Sequence, residues 1–304
     1  HVKSLILDLR NNGGGVLESA VQIVSMFVPK GSVVLSTKSK HAQMDRTYRT
    51  SSEPIDTVMP LAVLINGNSA SAAEIVSGSL QDMDRAVLVG QRSYGKGLVQ
   101  STRDLPYNGS LKVTISKYYI PSGRCIQQLD YTHRKADGSV AAIPEDKLPT
   151  MMYYLAVDTV FCDFVTNWVQ QHPTIPPVEE FSISDADFEA FKAYAKEKGF
   201  TYDRQSEKVL KNLKEVAEFE GYLEGDSTWF KTLETKLTPN LDRDFDRFKK
   251  EVTRMLESEI VKRYYYQKGE LLASLKDDKV LEKALEVLAN RALYQQTLST
   301  PEGK

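Results

Sequence analysis

Two hydrophobic patterns divide the chain near residue 150. In the first half, apolar runs of strand length alternate with segments whose apolar residues recur every three or four positions, as on one face of a helix. These patterns predict strands near 4–9, 32–37, 60–65, 86–90, 97–102 and 111–120, and helices near 16–28 and 72–82. Asn108-Gly109, between the last two strands, is typical of a hairpin turn. Residues 1–150 are therefore predicted to form an α/β domain.

The second half is charged and helical. Apolar residues recur at helical spacing through the segments 184–199, 207–220, 241–260 and 279–293. The first segment begins with a capping box, Ser184 with Asp187, and ends at Gly199. We therefore predict a mainly helical domain over residues 151–304. Its strongest candidate for an exposed contact surface is the run Tyr264-Tyr265-Tyr266.

Composition excludes several classes of protein. The chain has 304 residues, 41% of them hydrophobic and 26% charged, which is enough for two cores and lacks the signature of disorder. A formal net charge of −2, with no basic cluster beside aromatic residues, argues against a nucleic-acid partner. No apolar run reaches membrane-spanning length. Cys125 and Cys162 do not have the spacing of a disulfide framework or of a zinc site, so we predict no metal or cofactor. We expect both cysteines to be buried as small apolar side chains.

A serine lies where an apolar strand meets a helix. The strand 60–65 leads through Asn66-Gly67-Asn68-Ser69-Ala70 to Ser71, after which helical spacing begins. The free N–H groups and positive end of a helix favour an attacking alkoxide and the oxyanion that it creates. Ser71 and Glu74 also fit a capping box, which taken alone is the more common role of such a serine. The surrounding motifs must decide between the two roles.

Lys96, between Gly95 and Gly97, is a candidate base for this serine. A lysine amine accepts a proton only when it is neutral, and burial disfavours its charged form. We expect Tyr94, Leu98 and Val99 to supply such an apolar setting. The alternative is a solvated lysine in a turn. The competing bases are four histidines, none of which lies in a motif: His1, His41, His133 and His172.

The run from Gly90 to Lys96 also fits the phosphate-binding pattern G-x-x-x-x-G-K, and Leu5-Ile6-Leu7-Asp8 imitates the strand whose aspartate binds Mg²⁺. However, Gly97 stands where a Ser or Thr would bind the metal. The residues that follow predict a strand where a phosphate-binding loop requires the start of a helix. A nucleotide-binding function is therefore disfavoured.

Five motifs in unbroken order resemble the carboxyl-terminal processing, or tail-specific, proteases, which are serine peptidases with a Ser–Lys dyad. They are Leu7-Asp8-Leu9-Arg10-Asn11-Asn12-Gly13-Gly14-Gly15, Ser69-Ala70-Ser71-Ala72-Ala73-Glu74, Leu80-Gln81-Asp82 with Arg85-Ala86, Tyr94-Gly95-Lys96-Gly97-Leu98-Val99-Gln100, and Tyr119-Ile120-Pro121-Ser122-Gly123-Arg124. The resemblance covers roughly residues 1–130. A weaker likeness, to versions of the family from Bacteroidetes-type bacteria, extends through the remainder.

The resemblance implies a role for each matching residue. The nucleophile falls on Ser71, the general base on Lys96, and the glutamine that orients the lysine on Gln100. The oxyanion hole falls on the backbone N–H groups of Ala72 and of Gly13 or Gly14. The implied fold is an α/β spiral similar to those of crotonase and the Clp-type proteases.

The resemblance also implies a substrate class and a location. The expected activity is endopeptidase cleavage of proteins near their unstructured C-terminal tails, without a cofactor. The family usually carries a PDZ domain before the Leu7–Arg10 motif and is exported to the periplasm by a signal peptide, so we expect both in the full-length protein. A second copy of the chain, bound through residues 151–304, is a further expected partner. The alternative is a catalytically weak, peptide-binding scaffold of the same fold.

Overall fold

The computed structural model describes residues 2–128, 150–202, 205–222, 228–237 and 240–299. The strands are β1 (Leu5–Asp8), β2 (Val33–Ser39), β3 (Arg46–Arg49), β4 (Leu61–Ile65), β5 (Val87–Gly90), β6 (Leu98–Leu105) and β7 (Gly109–Tyr119). The helices are α1 (Leu17–Ser25), α2 (Ala72–Asp82), α3 (Thr150–Val157), α4 (Thr159–Gln171), α5 (Asp185–Glu197), α6 (Gln205–Phe219), α7 (Thr228–Leu237), α8 (Leu241–Arg247), α9 (Lys249–Ser274), α10 (Lys279–Ala289) and α11 (Arg291–Ser299). They form two compact units, His1–Asp146 with Asp277–Lys304, and Lys147–Lys276.

A three-stranded parallel sheet, in the order β1-β4-β5, lies at the centre of the first unit. Successive residues of β4 point to opposite faces of the sheet. Leu61 and Val63 join the core that contains α1 and α2, while Ala62 and Leu64 pack with α10. Because both faces of the sheet are covered, the sequence of β4 is a continuous apolar run, as is typical of parallel strands.

The first unit also contains an antiparallel sheet, in the order β3-β2-β7-β6. The hairpin predicted at Asn108-Gly109 is confirmed: it joins β6 to β7, and Tyr107 and Asn108 adopt the positive φ angles of such turns. The predicted strands and helices of this half are all present, with ends that differ by a few residues. The short strand β3 was missed, because its sequence, Arg-Thr-Tyr-Arg, carries no apolar alternation.

The second unit is helical and has an aromatic core. Phe188 and Phe191 of α5 pack in edge-to-face geometry against Phe245 of α8, and all three side chains are buried. The capping box predicted for α5 is confirmed, since Ser184 accepts from the N–H of Asp187 and the helix ends before Gly199, at φ 74°. The mixed α/β class followed by a mainly helical region is therefore confirmed.

Three expectations for the second half were wrong. The stripe from 241 to 260 is two helices, because Phe248 leaves the helical conformation between α8 and α9. Tyr264 and Tyr265 are partly buried and donate their hydroxyls to backbone carbonyls 169–176, so Tyr266 alone of these three tyrosines is exposed. Cys162 lies exposed on α4, and Cys125 is partly exposed. None of the described helices is long and apolar enough to cross a membrane.

Candidate active site

Ser71 occupies a strained turn between β4 and α2. It precedes the first residue of α2 and has φ 56° and ψ −116°, a conformation that residues other than glycine rarely adopt. Such strain persists only where the surroundings enforce it, and it concentrates at functional sites. A serine on a strained strand-to-helix turn is the arrangement that presents a nucleophilic hydroxyl in other hydrolases. Ser71 is half-buried.

Ser69, the other serine of this turn, has a structural role. Its side chain is fully buried, donates to the carbonyl of Leu9 at 2.7 Å and accepts from the N–H of Asn66 at 3.0 Å. These bonds fix the turn to the end of β1. Ser69 therefore has neither the exposure nor the free hydroxyl that a nucleophile needs.

Glu74 is the residue whose importance the sequence patterns did not reveal. The expected capping box of Ser71 and Glu74 is present, and in it the Ser71 N–H donates to Glu74 Oε2 at 2.8 Å. The same carboxylate also accepts from the loop that carries the candidate base: from the Ser93 hydroxyl at 2.7 Å, from the Gly95 N–H at 2.6 Å and from the Lys96 N–H at 2.9 Å. Glu74 is only 2% exposed. One buried carboxylate therefore holds the backbones of Ser71 and Lys96 together.

The Lys96 side chain differs from the expectation. It is exposed, and in the described part of the chain it makes no side-chain hydrogen bond, so the apolar setting expected from Tyr94, Leu98 and Val99 is absent. The carbonyl of Lys96 accepts from the hydroxyl of Tyr118, a residue of β7 that is 3% exposed. Burial raises the pKa of Tyr118, and an interaction with the Ser71 hydroxyl offsets part of the rise. Tyr118 thus stands beside both members of the candidate dyad.

Gln100 lies on β6, next to a register shift between Val99 and Gln100. Its amide is exposed and donates to the Thr114 hydroxyl of β7 at 3.5 Å. The structure therefore brings Gln100 to the same hairpin as the lysine loop, but pairs its amide with Thr114. Its role as the residue that orients the lysine stays a prediction.

Two of the three expected oxyanion-hole residues lie against Ser71. Ala72 is the first residue of α2, where N–H groups have no partner within the helix. At Gly14, with φ 94°, a side chain would lie 2.8 Å from the Ala72 nitrogen and from Ser71 Cβ, so only glycine fits. The Gly14 N–H donates to the Asn12 side chain at 2.9 Å, whereas Gly13 has open space around it. Which glycine completes the hole stays a prediction.

The glycine loop is fastened to the serine turn by backbone and side-chain hydrogen bonds. The Ala70 N–H donates to the Asn12 carbonyl at 2.9 Å. Asn11 and Asn66 form a reciprocal pair, with the Asn11 N–H on Asn66 Oδ1 at 3.0 Å and the Asn66 amide on Asn11 Oδ1 at 2.9 Å. These bonds hold the glycine loop beside the serine turn.

An apolar cleft of about 170 Å³ opens beside Gly14 and Ala72. Its other walls come from the segment between β1 and α1, from α1 itself and from the first turns of α2: Leu9, Asn12, Gly15, Val16, Ser19, Ala20, Ile23, Ala73 and Val76. An engineered apolar cavity of about 150 Å³ holds a molecule of benzene. The cleft therefore has room for one apolar side chain next to the candidate nucleophile.

Neither of the two histidines that the structure describes forms a hydrogen bond with Ser71 or Lys96. His41 is exposed in a loop, and His172 is stacked on Trp168 with ring centroids 3.8 Å apart and bonded through Nδ1 to the Trp168 carbonyl. His1 and His133 lie outside the described residues. The strand β6 begins at Leu98, directly after Gly97, so the helix that a phosphate-binding loop requires is not there.

Known proteins match both halves of the chain. Residues 1–132 match the family described as Peptidase family S41, and residues 151–288 match "Probable PDZ-protease, C-terminal helical domain". A carboxy-terminal-processing protease of Bartonella bacilliformis is 42% identical over 131 residues, which are 43% of this chain and 30% of that protein. A chloroplastic C-terminal processing peptidase of Tetradesmus obliquus is 38% identical over 128 residues, 42% of this chain and 27% of that protein.

Among solved structures, a photosystem II D1 C-terminal processing protease is similar, with 32% identity and a TM-score of 0.39. The match covers 47% of this chain and 34% of that one. The chain thus spans less than a third of the length of the two named relatives above. Residues 1–132 of this chain are therefore similar to peptidase family S41, and residues 151–288 are similar to the helical domain of a PDZ-protease.

Proposed function

We propose that this chain carries the catalytic site of a serine endopeptidase that cleaves proteins near their unstructured C-terminal tails. The observation that carries the proposal is the strained turn at Ser71, whose backbone is tied through Glu74 to that of Lys96. A serine that only caps a helix needs neither a strained backbone nor a buried carboxylate that joins its turn to a second loop. Both features therefore favour a catalytic role for Ser71.

In the proposed reaction, the Ser71 hydroxyl attacks the scissile carbonyl while Lys96 takes its proton. The N–H of Ala72, with that of Gly13 or Gly14, stabilises the oxyanion of the tetrahedral intermediate. Lys96 then returns the proton to the leaving amine, and water repeats the sequence on the acyl-enzyme. Gln100, on β6, orients the Lys96 amine in this proposal.

Because Lys96 is exposed, the proposed reaction also requires that water be kept away from its amine. An amine in water is almost entirely protonated at neutral pH, because the reference pKa of lysine is about 10.4. We therefore propose that the bound polypeptide covers Lys96 and excludes water from it. We further propose that one side chain of this polypeptide enters the cleft beside Gly14 and Ala72. The size and lining of the cleft favour a small or medium apolar residue before the scissile bond.

The proposal extends to location and partners. The full-length protein is expected on the periplasmic side of the inner membrane, with a signal peptide and a PDZ domain that presents substrate tails. Residues 151–304 are proposed to mediate self-association. Detection of the full-length protein in the periplasmic fraction, or facing it on the membrane, tests the first of these statements.

Cleavage of an unfolded protein with an apolar C-terminal tail by the full-length protein tests the proposed reaction. Ser71→Ala and Lys96→Ala are expected to lose activity to the same extent as the double variant, because nucleophile and base act as one unit. Lys96→Arg keeps the charge but cannot release its proton, so we expect less than about a tenth of the wild-type kcat/KM. Ser52→Ala, at an exposed serine outside this turn, is the matched control and should leave activity unchanged. Full activity of Lys96→Arg would refute the lysine as base.

The exposed Lys96 side chain favours one competing function, a peptide-binding scaffold that retains the fold without efficient turnover. The two functions differ in a single experiment. A scaffold binds the tail peptide equally well in the wild type and in Ser71→Ala, and releases it uncut from both. A peptidase releases cleaved product from the wild type only.

A further inference from the structure

Tyr118 of β7 reaches the candidate dyad from the antiparallel sheet, whereas Ser71 follows a strand of the parallel one. Its backbone is fixed on both sides, because Tyr118 is paired with Thr37 of β2 and its N–H donates to the carbonyl of Gly97 at 3.1 Å. Its side chain is 3% exposed and belongs to the same hydrophobic core as Ala72, the first residue of α2. The phenol hydroxyl is therefore held rigidly beside the loop that carries Lys96.

The Tyr118 hydroxyl has a single proton, which it donates to the Lys96 carbonyl. A phenol oxygen whose proton is engaged can still accept, so the Ser71 hydroxyl must be the donor in the hydrogen bond that joins it to Tyr118. The direction of the effect agrees, because this bond lowers the pKa of the phenol, as a hydrogen bond donated to a phenolate does. Burial raises that pKa by more, so Tyr118 keeps its proton at neutral pH.

Buried side chains bind both polar groups of the Lys96 main chain. Its N–H donates to Glu74 Oε2 at 2.9 Å, and its carbonyl accepts from Tyr118. The same two residues bind Ser71, Glu74 through the Ser71 N–H at 2.8 Å and Tyr118 through the Ser71 hydroxyl. A lysine in a solvated turn can satisfy both main-chain groups with water and needs neither anchor. The two anchors therefore fix the Lys96 main chain relative to Ser71, although the lysine side chain is exposed.

A buried tyrosine hydroxyl usually finds a hydrogen-bond partner, and the bond to the Lys96 carbonyl alone would meet that need. The contact with Ser71 is not explained in this way, because the phenol has already used its proton. This second bond restricts the rotation of the Ser71 side chain about its Cα–Cβ bond. A nucleophilic hydroxyl must point in one direction for attack, so the restriction has a use in catalysis.

We propose that Tyr118 is a positioning residue of the Ser71–Lys96 dyad, whose phenol sets the rotamer of the Ser71 hydroxyl and holds the Lys96 main chain beside it. The proposal rests on the proposed function and adds to it a residue that acts through the nucleophile and the base. Glu74 and Tyr118 have complementary roles. The carboxylate binds the N–H groups of the two loops, and the phenol binds the Lys96 carbonyl and the serine hydroxyl.

Tyr118→Phe removes one oxygen atom and keeps the buried ring. We expect kcat of the full-length protein on a tail peptide to fall about 10- to 100-fold, because small displacements of reacting groups have effects of that size. KM should change less than about threefold, since the apolar cleft is left intact. Tyr48→Phe is the matched control, because Tyr48 is a partly buried tyrosine of β3 that packs against the same core, and it should leave kcat unchanged.

The rate at which a small serine-directed acylating reagent labels Ser71 separates positioning from support of the fold. We expect Tyr118→Phe to slow labelling about 10- to 100-fold when Lys96 is present. In a Lys96→Ala background the same change should slow labelling less than about threefold, because no base is left to be positioned. Circular dichroism establishes that each variant is folded at the temperature of the measurement. A loss of the same size in both backgrounds would show that Tyr118 only supports the fold, and it would overturn the proposal.

Ser71→Ala, measured in parallel, keeps the failure of this proposal distinct from failure of the proposed function. If Ser71→Ala is inactive and Tyr118→Phe has the wild-type kcat, the peptidase stands and the role of Tyr118 is refuted. A Tyr118→Phe variant that changes only KM refutes that role as well. If Ser71→Ala keeps the wild-type activity, the dyad itself is refuted, and the role of Tyr118 is refuted with it.

Discussion

At the scale of single residues, Glu74 is the group that connects the two halves of the candidate dyad. Its carboxylate accepts four hydrogen bonds, from Ser71, Ser93, Gly95 and Lys96. A carboxylate has two accepting oxygens, whereas an amide has one and presents donors at the other position. Replacement by glutamine would therefore turn about half of these contacts into donor–donor contacts with almost no change of shape.

We expect Glu74→Gln to lower kcat about 100-fold, since displacements on the order of 1 Å at a catalytic site have effects of that size. KM for a tail peptide should change less than about threefold, because the variant leaves the apolar cleft intact. The measurement is steady-state kinetics at a temperature where circular dichroism shows the variant to be folded. Glu53→Gln, at an exposed carboxylate, is the control and should be neutral. An unchanged kcat for Glu74→Gln would contradict the positioning role.

The sequence patterns predicted part of this site. They placed Ser71 at a helix start and paired it with Glu74, because a capping box is read from local spacing. They did not predict the three bonds from the Lys96 loop, since these join distant parts of the chain. The exposure of Lys96 was also missed, because burial of a loop residue depends on tertiary placement and not on its apolar neighbours in sequence.

At the scale of elements, helices α10 and α11 pack against the parallel sheet of the first unit. The Tyr294 hydroxyl of α11 accepts from the buried Leu61 N–H at 3.0 Å and lies 3.2 Å from the Leu61 carbonyl. Asp278 caps α10 and forms an ion pair with Arg10, with 2.6 Å between nitrogen and oxygen. Arg10 directly precedes the glycine loop of the candidate site, so this pair links the last helices to that loop.

Asp278→Asn tests this link by its pH dependence. Burial alone would raise the pKa of Asp278, but hydrogen bonds from Leu281, Arg10 and Val280 outweigh it and lower the pKa below its usual value. A lowered folded-state pKa adds stability above the unfolded value near 3.9, and this stability is lost as the pH falls through the folded value. Asparagine keeps the helix cap. We expect the variant to lose about 2 kcal/mol of unfolding free energy at pH 7, the contribution of a charged hydrogen bond.

Urea denaturation followed by circular dichroism, at pH 7 and at about pH 2.5, measures this difference. As the pH falls through the lowered folded-state pKa of Asp278, the wild-type carboxyl is protonated as well, so the variant and the wild type should converge. A stability difference that is the same at both pH values would show that the ion pair with Arg10 is not its source.

The long helix α9 contains a second element-scale test, at Tyr266. Its φ of 54° and ψ of −151° interrupt the helix, and its side chain is 78% exposed. This region of backbone conformation is open mainly to glycine and costs other residues about 1–3 kcal/mol. We expect Tyr266→Gly to stabilise the protein by about 1 kcal/mol in urea denaturation. Lys262→Gly, in the regular part of α9, should instead destabilise by about 1 kcal/mol. Equal destabilisation by both would contradict a strained kink.

At the scale of the whole molecule, pattern and spacing predicted the class of each half, because alternating strands and helices differ from continuous helical stripes. The stripe predicted over 279–293 covers α10 and only the start of α11, and nothing in its sequence indicated that these helices pack with residues 1–146. An apolar stripe predicts that one face of a helix is buried, but it does not indicate which surface buries that face. The division into domains at residues 150 and 151 stays a prediction.

The central claim is that Ser71 is the nucleophile of a peptidase in which Lys96 is the base. Covalent trapping tests it most directly: the full-length protein is treated with a serine-directed acylating or phosphonylating reagent, and the modified residue is located by peptide mass spectrometry. The account predicts one adduct on Ser71, absent in Ser71→Ala and at least about 100-fold slower to form in Lys96→Ala. Modification of Ser69 with Ser71 untouched, or labelling of Ser71 at the same rate without Lys96, would contradict it.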